Sequence, residues 1–225
     1  MNSFFKDRGA GLAVVVVIMF VISLAQGSIS YTMAFGALQD LVPKERSLYA
    51  VILVVLRFSL IATLMMLWVL QRKPALFRLI VIANVLFTLA LLAHTKALIL
   101  VLLGSVSEAV NALMVDVVLM AVSNILIFSI WYWIIDPPGV EDVPRADEEW
   151  DFLFPQRGSS LPHFVSWAPR YADYLFLSFT TSLAFGPTDT PPLTRRAKML
   201  MLLQATISVV TLTVIAGSAI NILAG

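Results

Sequence analysis

Charge interrupts this chain so rarely that five stretches can each cross a lipid bilayer: roughly 10–35, 48–70, 75–93, 107–135 and 197–223. A helix rises 1.5 Å per residue, so a span of about 20 apolar residues covers the hydrocarbon core. The chain is 60% hydrophobic and 13% charged over 225 residues. A soluble domain of that size cannot hide so much apolar surface, and a polytopic helix bundle is the expected fold. The class is all-α: about five spans plus one short half-helix, re-entrant or interfacial. "LQDLVPKER", "QRKP" and "HTKALILVLLGS" separate the early spans. The apolar piece 97–103 is too short to cross and reads as a helix extension or an interfacial turn.

Composition also excludes function classes. The net charge of +1 predicts no nucleic-acid partner. There is no Cys, which removes disulfides, thiol catalysis and Cys-based metal sites. His94 and His163 are far apart and form no ligand cluster, so no metal or other cofactor is expected. HExxH, GxSxG, P-loop and GxGxxG patterns are absent, and an enzyme has little support.

The first span mimics a signal peptide, with a basic start and a Ser23-x-Ala25 site. Its apolar run continues through Ser30 to Leu38, so an uncleaved helix is expected. Orientation is set by Lys and Arg. With the N-terminus inside, 11 basic residues fall on the cytoplasmic side and 3 (Lys44, Arg46, Lys96) outside, with Arg57 in the membrane. This places 136–196 in the cytoplasm of a cell whose inner membrane holds the chain. Trp68 and the run Trp131, Tyr132, Trp133 read as aromatic belts at headgroup depth.

The chain divides into three parts: a four-helix bundle over 1–135, an acidic Pro-rich loop over 136–170 and a half-helix with the last span over 171–225. Pro137, Pro138, Pro144, Pro155, Pro162 and Pro169 forbid a long helix in the loop. Asp136, Glu141, Asp142, Asp147, Glu148, Glu149 and Asp151 make it acidic. It reads as solvated, or as a weak cation-attracting or partner-docking patch. Its "WDFLFPQ" segment should fold back onto the bundle or the membrane surface, because Phe152, Leu153 and Phe154 are costly to expose.

Within the spans, Arg57 and Asp116 fall at similar depth on two helices that run the same way, so an ion pair is expected, with Glu108 a rival partner. Glu108, Asn111, Asp116 and Ser123 share one helix face that should point inward. Two polar stripes stand out: Ser23, Gln26, Ser30 in the first span, and Gln204, Ser208, Thr211, Ser218 in the last. Such stripes line pores or glue helices together.

"PRYADYLFLSFTTSLAF" reads as a short helix started by Pro169, with Asp173 complementing its dipole. "GPTDTPPLT" breaks it. It either enters the membrane as a half-helix buried in protein or lies on the surface. Residues 120–223 resemble a family of uncharacterised bacterial integral membrane proteins. Residues 171–220 are similar to the pore module of two-helix potassium channels. That resemblance implies a channel-like, homo-oligomeric protein passing a monovalent cation. It puts the filter pattern T-x-G-Y-G-D in the stretch of Thr181, Ser182, Leu183, Ala184, Phe185 and Gly186, with Asp189 in the acidic position. Ala184 stands where a filter glycine would, and Pro187 and Thr188 come before Asp189, departures that oppose selective potassium conduction. The other reading is a non-conducting membrane protein that keeps the pore-like fold for packing, lipid contact or partner binding.

Overall fold

A helix that is apolar all round belongs inside a protein or across a membrane, and the long helices here are of that kind. The computed structural model describes residues 9–35, 45–70, 72–103, 114–136, 150–159, 161–164, 167–184 and 189–224. Their helices are α1 (Gly9–Phe35), α2 (Glu45–Val69), α3 (Lys73–Leu103), α4 (Met114–Ile135), α5 (Tyr171–Ala184) and α6 (Arg195–Ala224), with two short 3-10 turns before α5. Four stretches are long and apolar enough to cross a membrane: Leu12–Ser30, Pro74–Leu100, Met114–Ile135 and Arg195–Gly217. The sequence predicts five spans, but among the described residues of α2 only Val54–Val69 is apolar, shorter than the other four. The protein is a helical, multi-pass membrane bundle.

The span boundaries differ from the sequence expectation at one informative place. "HTK" does not end α3, which runs on through 97–103 to Leu103. No Gly or Pro occurs between Ala75 and Leu103 to stop it. The Thr95 hydroxyl bonds the Leu91 carbonyl of its own helix (2.9 Å), which lets a polar residue stay in the span.

α4 is the hub, packed by α1, α3, α5 and α6, while α2 rests on α1 and α3. Met19, Ile22, Leu64, Ile80, Phe87, Ile127 and Phe128 fill the interior. Lipid tails are as apolar as these side chains, so burying them gives little net drive between helices; close packing and hydrogen bonds decide the arrangement. The bonds also set register. Gln26 Nε2 donates to Phe87 O (2.9 Å) and joins α1 to α3. Asn84 Nδ2 donates to Ile127 O (3.2 Å) and joins α3 to α4. Asp116 and Ser123 are buried on the inward face of α4, as the helical wheel predicts.

The aromatic cluster that closes α4 is packed into the protein. Tyr132 and Trp133 are buried in the bundle, and Trp131 Nε1 donates to Thr88 Oγ1 (2.9 Å). A later segment of the chain covers them. Residues 150–159 fold back over this end of α4, as expected for "WDFLFPQ": Phe152 and Phe154 are buried and Leu153 stays exposed. Phe152 meets Tyr132 edge-on (5.0 Å between ring centres), and Phe154 meets Tyr174 (5.5 Å). This strap pairs with the chain before α6, through Leu153 N to Pro191 O (3.1 Å) and Leu193 N to Asp151 O (2.8 Å).

Candidate functional site

The half-helix α5 starts as its sequence predicts. Asp173 Oδ2 accepts the Arg170 backbone N–H (2.6 Å), the reciprocal arm of a capping box. From there α5 runs inward along α4. The Tyr174 hydroxyl donates to Asp136 Oδ2 (2.7 Å) at the α4 terminus, and the Ser178 hydroxyl donates to Ile125 O (2.7 Å) farther along α4. Ser182 Oγ meets Ser208 Oγ (2.6 Å) in the last turn of α5. Ser208 lies 13 residues beyond Arg195, about 20 Å along α6. So α5 is not a surface-lying helix; it ends deep beside α6, with one face in protein. Its other face, Phe176, Phe179 and Leu183, is exposed.

Between α4, α5 and α6 lies a polar seam. Gln204 is its centre: Oε1 accepts the Tyr132 hydroxyl (2.5 Å), and Nε2 reaches both Ser178 O and Ser178 Oγ (2.8 Å each). Asn124 Nδ2 donates to Ser208 Oγ (2.8 Å) and Gln204 O (3.2 Å). The Thr211 hydroxyl bonds Ile207 O and Ser208 O (3.1 Å each). Gln204, Ser208 and Thr211 are 0%, 1% and 0% exposed. Gln204 and Ser208 of the α6 stripe thus bond to α4 and α5 within the chain, while Thr211 is buried and bonds its own helix.

The filter-like residues divide. Thr181 and Ser182 are buried in the final turn of α5, Leu183 and Ala184 are exposed, and Asp189 is exposed ahead of α6. Phe185, Gly186 and Glu108, and the side chain of Ser218, lie outside the described residues.

At the base of the seam, where α4 ends and α6 begins, two carboxylates anchor the strap. Asp136 and Arg157 form a salt bridge (2.8 Å) with side chains 0% and 1% exposed. Asp136 Oδ1 also accepts the backbone N–H groups of Asp151 (3.0 Å) and Phe152 (3.3 Å). Arg157 donates as well to Phe152 O (2.8 Å) and lies over the Trp150 ring (4.9 Å). Asp151 accepts Arg196 Nε (2.7 Å) and Nη2 (2.6 Å) together with the Thr194 hydroxyl. Thr194 in turn caps α6, its Oγ1 taking the Ala197 N–H (3.3 Å). Asp136 and Asp151 are thus not part of a solvated acidic loop. Glu141, Asp142, Asp147, Glu148 and Glu149 lie outside the described residues.

The expected Arg57–Asp116 pair does not form. Among the described residues the salt bridges are Arg157–Asp136 and Arg196–Asp151. Arg57 Nη1 donates to Ser30 Oγ (3.0 Å), and Ser30 Oγ also meets His94 Nε2 (3.2 Å). Ser30 belongs to α1, so the Arg57 side chain is turned onto α1 rather than α4. Asp116 is buried in the first turn of α4.

Sequence reasoning missed Asp136, Arg157, Tyr174, Asp151 and Arg196 as a network at the base, and Tyr132 and Asn124 as partners of the α6 stripe. Asp136 comes directly after an apolar run, and Arg157 ends the apolar "WDFLFPQR" segment; both placements were signals that these charges are held at a bundle surface. Among the described residues no His, Asp and Glu side chains gather as a metal site. No protein-family model, curated protein or solved structure matches the chain.

Proposed function

We propose that this chain is a non-conducting membrane scaffold in which the half-helix and the last span serve packing and partner contact. One observation carries this reading. The polar face of α6 that a pore would need, Gln204, Ser208 and Thr211, is buried against α4 and α5 of the same chain. A pore shared between copies needs that face turned outward. The faces that do point outward are apolar: Phe176, Phe179 and Leu183 on α5, and Met199, Leu202 and Val209 on α6. They suit lipid, a membrane partner or a second copy in a homo-oligomer. The basic residues support a cytoplasmic N-terminus. Single cysteines at Ser159 and Gly225, probed with an impermeant thiol reagent, test it: only the Gly225 site should label from outside.

A second reading has its own support. α5 ends beside Ser208, deep along α6, so the negative end of its dipole lies where it would favour a cation. In that reading a homo-oligomer passes a monovalent cation. Liposomes holding the purified chain and a potassium gradient separate the two. The scaffold reading expects leak equal to that of empty liposomes. Potassium flux that responds to Gln204→Leu would establish the channel reading instead.

A further inference from the structure

Along its open side, the bundle has a crevice of about 260 Å³ between α3 and α6. Its walls are Leu92, Ile99 and Leu100 from α3 and Leu203, Ile207 and Val210 from α6. Two threonines also line it, but their hydroxyls are turned onto their own helices, Thr95 to Leu91 O (2.9 Å) and Thr206 to Leu202 O (2.8 Å). Both donors are spent, and the wall is effectively apolar. The exception is Lys96, which belongs to the lining and is exposed. Among the described residues Lys96 makes no hydrogen bond and no salt bridge.

Depth gives that ammonium its meaning. Lys96 lies inside the apolar stretch Pro74–Leu100, four residues before its end, with Leu92 one turn deeper. A lone ammonium there is costly unless an anion meets it, and a long Lys side chain can reach one at the boundary. The site is amphipathic: one cation set in otherwise apolar walls, close to the end of the span.

We propose that this crevice holds one anionic membrane phospholipid, with a phosphate on Lys96 and an acyl chain between α3 and α6. Charge complementarity and the single polarity of the slot select this occupant over a second copy of the chain, whose outward α5 and α6 faces are apolar and offer no anion. The assignment does not depend on whether the chain conducts.

The test is native mass spectrometry of the detergent-purified protein titrated with dioleoylphosphatidylglycerol or dioleoylphosphatidylcholine. Wild type should bind one phosphatidylglycerol about fivefold more tightly than phosphatidylcholine, the factor one Lys at a membrane surface supplies. Lys96→Ala should abolish that preference, and Lys96→Arg should keep it. Ile207→Trp should fill the slot and weaken both lipids. Near-wild-type melting temperatures of the variants confirm that they are folded, and Lys96→Arg carries the test if Lys96→Ala is not. Equal binding of the two lipids by wild type, an undiminished preference in Lys96→Ala, or a dimer that excludes lipid would each overturn the proposal.

Discussion

Arg157 and Arg57 are both buried guanidiniums, and they are held in opposite ways. Arg157 lies at the base of the bundle, in a salt bridge with a carboxylate that also takes a tyrosine hydroxyl and two backbone N–H groups. Arg57 lies in the apolar part of α2 and donates to one serine hydroxyl. The difference is one of supply. At the base, a strap from a distant part of the chain brings backbone donors and charged side chains to the helix ends. Between spans, only what the neighbouring helices carry is at hand. A buried charge is well compensated only when its carboxylate is itself fully bonded, so the base should be rigid and the Arg57 site replaceable.

The sharpest way to break this contrast is Asp136→Ala. It leaves the Arg157 guanidinium buried without its carboxylate and strands Tyr174, and it should destabilise by about 3–5 kcal/mol in an SDS unfolding titration. A loss no larger than that of a surface variant would put Arg157 in water rather than in the base. The opposite sign is expected from Arg57→Leu. Removing a buried charge held by one hydroxyl should raise stability by about 1–3 kcal/mol, read as a shift in the thermal midpoint. A large destabilisation there would mean that Arg57 has a strong structural partner. Gln204→Leu should cost about 1–2 kcal/mol, because Tyr132 and Ser178 lose a shared partner that other groups only partly replace. Arg196→Ala comes last. The Arg196 side chain is 61% exposed, and solvent screens it, so about 1 kcal/mol or less should be lost even though Asp151 is fully buried.

The spans were legible because their signal is local: an apolar run of sufficient length needs no partner to be recognised. The half-helix was legible for a related reason, since Pro169, Arg170 and Asp173 carry its start within one short stretch. The inward face of α4 could be read from 100° periodicity, and Asp116 and Ser123 are where that puts them. Pairings between elements were not legible. The Arg57–Asp116 pairing was argued from equal depth, yet depth leaves the rotation of each helix and the lean of a long side chain undetermined. The network at the base joins Asp136 to Arg157, and Asp151 to Arg196 across 45 positions, so no window of sequence contains it. The α6 stripe shows the same limit. Gln204, Ser208 and Thr211 at helical spacing describe a polar face equally well whether water or another helix lies against it. Only the positions of Asn124, Ser178 and Ser182 decide which.

That decision can be tested directly in a chain that has no native cysteine. Ser182 Oγ and Ser208 Oγ lie 2.6 Å apart. In a Ser182→Cys, Ser208→Cys double variant, mild oxidation in native membranes should form a disulfide within each chain. A protease site placed at 187–188 should then leave the two fragments joined until reductant is added, and the uncut band should stay at monomer size. Disulfide-linked dimers, or thiols that remain free and label from water, would contradict the buried seam and place the polar face of α6 on a path shared between copies.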